Sequence, residues 1–211
     1  MRDAFGGTLV TMAMAAREAM RQASAALLTS DSTLAQQVTV RDAEIDVLSR
    51  VLEDRIFDLV VREQPDSEDT RALLSAMQVA AHLERMGDLA VHVARATLRR
   101  HPVPAAAPEL AEILGLMGGV ADGLAGTVVS ALADSDVVLA GRLDRDDDVM
   151  DELHRRLFTV MLSSDWPLGV EAAIDGALLG RFYERYADNA VDVGRHIVRL
   201  LGDPGVSKLG G

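Results

Sequence analysis

The sequence predicts an all-α protein built from two tandem three-helix bundles that are related by an internal duplication. Apolar residues recur at intervals of three and four along almost the whole chain, which is the period of an amphipathic helix. No segment alternates apolar and polar residues long enough to suggest a strand. Three blocks in the second half of the chain also match blocks in the first half, in the same order.

The composition limits the classes of function. Of the 211 residues, 49% are hydrophobic and only 3% aromatic, so Ala, Leu, Val and Met must fill the core. With 21 basic and 33 acidic residues the formal net charge is −12, which argues against nucleic acid and anionic membranes as partners. The absence of cysteine excludes disulfides and thiolate chemistry, and the N-terminal segment is a poor signal peptide. We therefore expect a cytoplasmic protein.

Three helices are predicted in the first half of the chain, at residues 2–28, 32–62 and 67–100. A polar turn ends the first helix. A Gln-Pro-Asp-Ser sequence ends the second, because proline interrupts a helix. Asp66 or Ser67 is expected to cap the third helix. Together these helices form the first predicted repeat, at residues 1–100.

The second half begins after a short linker at residues 101–107, which contains two prolines. Three further helices are predicted there, and together they form the second repeat, at residues 108–201. Their ranges are 108–132, 136–162 and 168–201. The glycine-rich segment 202–211 is predicted to be a flexible tail.

The fourth predicted helix contains an unusual number of glycines. A glycine in a helix interior costs roughly 0.5–1 kcal/mol relative to alanine. Close approach of a neighbouring helix would offset that cost, whereas the alternative is a locally weak, mobile helix. We favour close packing. The glycines are Gly115, Gly118, Gly119, Gly123 and Gly126.

The internal repeat links specific segments. Residues 31–35 match residues 136–140 at an offset of 105, and the same offset relates the acidic segments 42–46 and 147–151. Residues 82–95 match residues 182–195 at an offset of 100, with seven of the fourteen positions identical. The change of offset falls between the second and third helix of each half, where loop length varies at little cost.

Each half carries an acid-x-x-x-acid pattern twice. This spacing puts both carboxylates on one helix face, where like charges repel and slightly destabilise the helix. Two facing helices would offer four carboxylates to a hard metal ion or a cluster, with His92 and Asp192 as a third pair of ligands. The acidic residues are Asp42, Asp46, Glu84, Asp88, Asp147, Asp151, Glu184 and Asp188.

The alternative is a solvated acidic stripe that nearby arginines neutralise. The Glu-x-x-His pattern of di-iron bundles is missing, which disfavours ferritin-like oxidase chemistry. No serine or cysteine lies in a nucleophile context, and no glycine-rich phosphate loop is present. We therefore assign no catalytic residues. The candidate neutralising residues are Arg41, Arg85, Arg95, Arg145, Arg185 and Arg195.

The chain resembles the PhoU family over essentially its whole length apart from the tail. Three motifs carry the resemblance, together with the duplicated three-helix layout. They are the Asp42-x-x-Ile45-Asp46 step, the Glu84-Arg85-x-x-Asp88 motif and, most specifically, the segment Tyr183-Glu184-Arg185-Tyr186-Ala187-Asp188-Asn189-Ala190. The N-terminal pattern Met1-Arg2, Phe5 and Leu9 is also similar.

The resemblance implies a negative regulator of phosphate-starvation signalling and phosphate uptake. Such a protein is an adaptor between the ATPase subunit of a phosphate ABC transporter and a membrane sensor histidine kinase. It is not an enzyme, and it reaches the membrane only through its partners, as a homodimer. We see no basic pocket for phosphate itself, so we expect it to sense the state of the transporter.

Some family members bind metal at their acid-x-x-x-acid motifs. The resemblance therefore implies divalent or iron- or zinc-type ions at the eight acidic residues above. Because His92 of the first half corresponds to Asp192 of the second, the two sites need not be chemically equal. The alternative function is a metal-binding carboxylate bundle, either a metal store or a metal-dependent enzyme.

Overall fold

The computed structural model describes the backbone of residues 3–201 and the side chains of residues 5–199 except that of Glu63. All regular secondary structure in this range is helical. The predicted tail at residues 202–211 lies outside the described residues. The helices are α1 (Asp3–Thr29), α2 (Ser32–Glu63), α3 (Ser67–Arg100), α4 (Pro108–Asp134), α5 (Val137–Ala140), α6 (Leu143–Asp146), α7 (Asp148–Met161) and α8 (Gly169–Leu201).

The repeat is visible in the helix caps as well as in the helix order. The Asp31 carboxylate accepts a hydrogen bond from the Leu34 N–H at the start of α2. Asp136, at the predicted offset of 105, accepts one from the Leu139 N–H at the start of α5. At α3 the cap is Asp66, whose side chain accepts from two backbone N–H groups. The all-α class and the duplicated three-helix plan are confirmed.

One predicted helix is wrong in detail. The range 136–162 was expected to be continuous, but the chain forms α5, α6 and α7 with turns between them. The first turn is tightened by a bond from the Arg142 N–H to the Leu139 carbonyl at 3.2 Å. Helix α8 passes close to this turn, because a Cβ atom at Gly194 would lie only 2.8 Å from the Ala140 carbonyl oxygen.

Four helices form the centre of the molecule. Helix α3 packs against α8 and α1, and α4 packs against α1 and α8. Helix α2 lies outside this group on α1 and α3, while α7 lies outside it on α4 and α8. The centre is filled largely by aliphatic side chains and two tyrosines, all fully buried, such as Met12, Met20, Leu83, Leu110, Tyr183 and Tyr186.

Polar contacts connect the two halves within this centre. The Tyr183 hydroxyl donates to the Ser24 hydroxyl oxygen at 2.9 Å, which links α8 to α1. The Arg17 guanidinium binds both oxygens of Asp122 at 2.7 and 3.0 Å, which links α1 to α4. A bidentate pair of this kind fixes both position and orientation. The halves are therefore joined by specific hydrogen bonds as well as by apolar packing.

The glycines of α4 divide into two groups. A Cβ atom at Gly118 would lie 3.0 Å from the Ser24 hydroxyl oxygen, and one at Gly126 would lie 3.1 Å from the Arg17 guanidinium carbon. Close packing against α1 thus explains these two. Gly119 and Gly123 have no neighbour within 4 Å of such an atom, so packing does not explain them.

Helix α4 is also the one helix of the described range whose length and mean hydropathy of 1.5 would allow a membrane crossing. One such helix is weak support for a membrane span, because the core helix of a water-soluble bundle has the same composition. Its face toward α1, α7 and α8 is buried in this fold.

Candidate functional site

The first acidic cluster forms where α2 approaches α3. A Cβ atom at Gly87 would lie 2.8 Å from Ile45 Cδ1 and 3.3 Å from Asp42 Oδ1. The lack of a side chain at Gly87 therefore lets α2 come close and holds the Asp42 carboxylate against α3. Gly87 was not predicted as part of the site, although it lies between Glu84 and Asp88 in the repeat.

The α2–α3 cluster contains all four predicted residues of the first half. Asp42 is half-buried, and its burial together with the charges of Asp88 and Asp46 raises its pKa to about 6. Glu84 adds to this effect, whereas the positive charge of Arg95 opposes it. The other three carboxyl groups are therefore close enough to Asp42 for their charges to act on it.

The α7–α8 cluster contains the four predicted residues of the second half. Burial and the charges of Asp151 and Asp188 raise the pKa of Asp147 to about 6. Burial also raises the pKa values of Glu184 and Asp188. The Asp147 Oδ1 atom is buried and accepts no hydrogen bond from any described residue, which is unusual for a carboxylate oxygen.

The two clusters differ at one equivalent position. In the first half, the Ser49 hydroxyl donates to Glu84 at 3.1 Å. At the offset of 105 the second half has His154, whose charge lowers the pKa of Glu184. The Nε2 atom of His154 is buried without a hydrogen-bond partner in the described part of the chain. His154 was not predicted as part of the site, although the repeat pairs it with Ser49.

The expected third pair of ligands has other contacts. His92 stacks on the Phe182 ring with a centroid separation of 5.0 Å. Asp192 accepts a hydrogen bond from Arg195 at 3.0 Å, and Arg195 also binds Asp144. His92 thus lies against an aromatic ring, whereas Asp192 is close enough to the second cluster for its charge to raise the pKa of Asp188.

Arginines neutralise the clusters only in part. Arg95 and Arg185, two of the predicted residues, lower the pKa values of Asp42 and Asp188 respectively. Arg181 was not among the predicted residues, yet it binds Glu184 directly. The pKa values of Asp42 and Asp147 are still raised overall, so burial and repulsion outweigh the effect of the arginine charges.

The positions of the donor atoms determine whether the clusters can hold a metal ion. Within residues 5–199, no group of three or more His, Asp and Glu side chains is arranged to hold an ion. The chemistry of the donors nevertheless suits a hard cation, since each cluster has four carboxyl groups and Asp147 Oδ1 has no partner. A cation would be held only after side-chain rotations bring these oxygens together.

The fold and these clusters define a class of duplicated helical-bundle proteins with one carboxylate cluster in each half. A family model described as the PhoU domain matches the chain twice, at residues 9–97 and 114–197. These two matches contain every residue of both clusters. The chain belongs to the PhoU family.

Known proteins agree with this assignment. The chain is 42% identical over 180 residues to the phosphate-specific transport system accessory protein PhoU homolog 2 of Mycobacterium tuberculosis, covering 85% of this chain and 84% of that protein. It is 26% identical to PhoU homolog 1 of Thermotoga maritima, covering 87% of this chain and 79% of the other.

Solved structures share the fold. The crystal structure of PhoU from Pseudomonas aeruginosa matches with a TM-score of 0.84 at 25% identity, over 93% of this chain and 94% of that one. The crystal structure of the phosphate transport system regulatory protein PhoU from Streptococcus pneumoniae matches with a TM-score of 0.80 at 20% identity, over 94% of each chain. The second likeness concerns the fold alone.

The raised pKa values of Asp42 and Asp147 predict a dependence of stability on pH. An aspartate in an unfolded chain has a pKa of about 3.9, so the folded chain binds more protons between about pH 4 and 6. Stability from these groups therefore falls as the pH rises through that range. Asp42→Asn and Asp147→Asn should each raise the free energy of unfolding at neutral pH by roughly 1 kcal/mol, after discounting for partial exposure.

Urea unfolding at several pH values checks this prediction, and the gain should shrink as the pH is lowered toward about 4. The matched control is Asp54→Asn, an exposed residue of α2 outside the cluster, which should leave stability nearly unchanged. Destabilisation by Asp42→Asn and Asp147→Asn at neutral pH would contradict the assignment of repulsive, half-buried carboxylates.

Proposed function

We propose that the chain is a negative regulator of phosphate-starvation signalling and phosphate uptake. It acts as an adaptor between the ATPase subunit of a phosphate ABC transporter and a sensor histidine kinase. The observation that carries this proposal is family membership over both repeats, together with 42% identity to a phosphate-specific transport system accessory protein. The adaptor is cytoplasmic, contacts the membrane only through its partners, and works as a homodimer.

Exposed apolar side chains on the outer helices support a role in protein docking. Phe57 of α2 is 68% exposed, and Leu162, just after α7, is 81% exposed. These two residues are related by the repeat offset of 105. Large apolar side chains in solvent mark protein-interaction surfaces when they occur together, and Val61, 58% exposed, lies one turn after Phe57. We assign the transporter and kinase contacts to these outer faces.

Metal binding at the acidic clusters is a second candidate property. The observation that favours it is the buried, unpartnered Asp147 Oδ1 atom beside three further carboxyl groups. Asp147, Asp151, Glu184 and Asp188 would hold an ion in the second half, and Asp42, Asp46, Glu84 and Asp88 in the first. A divalent, iron or zinc ion there would supply positive charge that offsets the repulsion. This property is compatible with the adaptor role, but a metal store or metal-dependent enzyme would require it.

The regulatory proposal predicts the phenotype of cells that lack the gene. A reporter for phosphate-starvation genes should be active in these cells in ample phosphate, because the repressing signal to the kinase is missing. The wild-type gene should silence the reporter again. A reporter that stays silent in a strain without any related gene would contradict the proposal.

Outer-face variants separate docking from folding in the same assay. Phe57→Glu should leave the reporter active and reduce co-purification with the ATPase subunit or the kinase, because a charge at an interface is costly to bury. The control is Val170→Glu, since Val170 is 75% exposed at the start of α8, away from α2. If both variants behave like the wild type, α2 is not a docking face.

The metal proposal is tested by the quadruple substitution of Glu84, Asp88, Glu184 and Asp188 with alanine. Mn²⁺ or Zn²⁺ should raise the melting temperature of the wild-type chain, because a ligand that binds only the folded state stabilises it. The same ions should have no effect on the variant. Equal stabilisation of both proteins would rule out these carboxylates as the ligands. Silencing of the reporter by the variant would show that the adaptor works without metal.

A further inference from the structure

A groove of about 580 Å³ opens between the first part of α3 and the end of α8, away from both acidic clusters. None of the described residues that line it is acidic. Two apolar residues, Leu74 and Val198, also line it. Its polar side chains all carry hydrogen-bond donors and are Arg71, Ser75, Gln78, His196 and Arg199.

Two positive groups of this groove have no ion-pair partner among the described residues. Neither Arg71 nor Arg199 forms an ion pair or a side-chain hydrogen bond with any residue of the described chain. The pKa of His196 is lowered by burial, by His82 and by Arg199, whereas Asp192 acts in the opposite direction. What distinguishes Arg71 and Arg199 from the other unpaired arginines is that both line one groove in which no described residue is acidic.

The internal duplication provides a direct comparison. At the offset of 100, Arg71 corresponds to Glu171 and Ser75 to Asp175. At that equivalent position, Arg100 of α3 donates to Asp175 and forms an ion pair with Glu171 at 2.8 Å. The two acids at these positions of the second repeat therefore bind an arginine of α3, whose own repeat equivalent in α8 is Leu200. The α3–α8 groove has a guanidinium and a hydroxyl in the places of those two acids, so this part of α3 offers hydrogen-bond donors where α8 offers carboxylates.

We propose that the α3–α8 groove binds a phosphate group, either as free inorganic phosphate or on a small phosphate ester. Guanidinium groups match the geometry of phosphate oxygens and bind them with charge-assisted hydrogen bonds. Arg71 and Arg199 hold the ligand from opposite helices, and Ser75 donates its hydroxyl hydrogen. The amide oxygen of Gln78 accepts the hydrogen of a monoprotonated phosphate, which sulfate lacks at the same pH.

This groove is a candidate for the basic phosphate pocket that we did not find in the sequence. The signal was present in the repeat, because position 71 replaces an acid of the other half with arginine. The inference goes beyond the proposed adaptor role and does not rest on it. Binding is measured on the purified chain alone, so a failure would leave the regulatory proposal standing.

The test is calorimetric titration of the full chain at low ionic strength with three anions in separate arms. Inorganic phosphate and glycerol 3-phosphate represent the two sources of the phosphate group, and sulfate is the control anion. We expect saturable binding in at least one phosphate arm and clearly weaker binding of sulfate. The phosphate compound that binds more tightly identifies the source of the phosphate group.

Variants assign the site. Arg71→Gln and Arg199→Gln should each weaken phosphate binding by about tenfold or more, as expected for the loss of a hydrogen bond to a charged group. The matched control is Arg99→Gln, because Arg99 is the repeat equivalent of Arg199 and is equally exposed. It should bind phosphate like the wild type. Circular dichroism and thermal melting confirm that the variants fold.

An NMR readout adds a signal that a purely structural role would not produce. The anion should raise the pKa of His196, because it offsets the charge of Arg199 beside the imidazole. No saturable binding in either phosphate arm would overturn the proposal. So would equal binding of sulfate, or an equal loss of affinity in Arg99→Gln and Arg199→Gln.

Discussion

The packing of α3 against α8 is the contact on which the rest of the structure depends. These are the third helices of the two repeats, and they run side by side through the centre with α1 and α4 completing the core. The hydroxyls of Tyr183 and Tyr186 both reach α1, at the Ser24 side chain and the Ala16 carbonyl. Because the third helices meet each other, the second helix of each repeat is left on the outside. That arrangement puts one acidic cluster where each outer helix meets the core, and it puts the basic groove at one end of the α3–α8 interface.

Each outer helix brings carboxylates against a central helix at a cost in stability. Burial and like charges raise the pKa values of Asp42 and Asp147 to about 6, and nearby arginines only partly oppose this. Amides or apolar residues at these positions would make a more stable bundle. Carboxyl groups with raised pKa values are concentrated at functional sites, where a ligand or partner supplies positive charge. Both halves contain these destabilising carboxylates, which points to a shared role.

The sequence predicted the parts of this structure that local pattern and internal repetition determine. The helix period located the long helices, and the offsets of 105 and 100 paired both the aspartate caps and the acidic motifs. The break after α5 was missed because it accompanies the close approach of α8 at Gly194, a tertiary contact. His154 and the groove at Arg71 were missed for another reason. Both are positions where the repeats differ, and an internal match reveals only the positions that are alike.

The central claim is that the two repeats share one core, with α2 and α7 attached outside it. Native-state hydrogen exchange tests this claim most directly, because it measures the free energy at which each helix opens. The account predicts that the amides of α1, α3, α4 and α8 exchange at one common, highest free energy, and that α2 and α7 open below it. If instead α4 and α8 exchange together at a lower free energy than α1 and α3, the repeats unfold separately. The shared core would then be wrong.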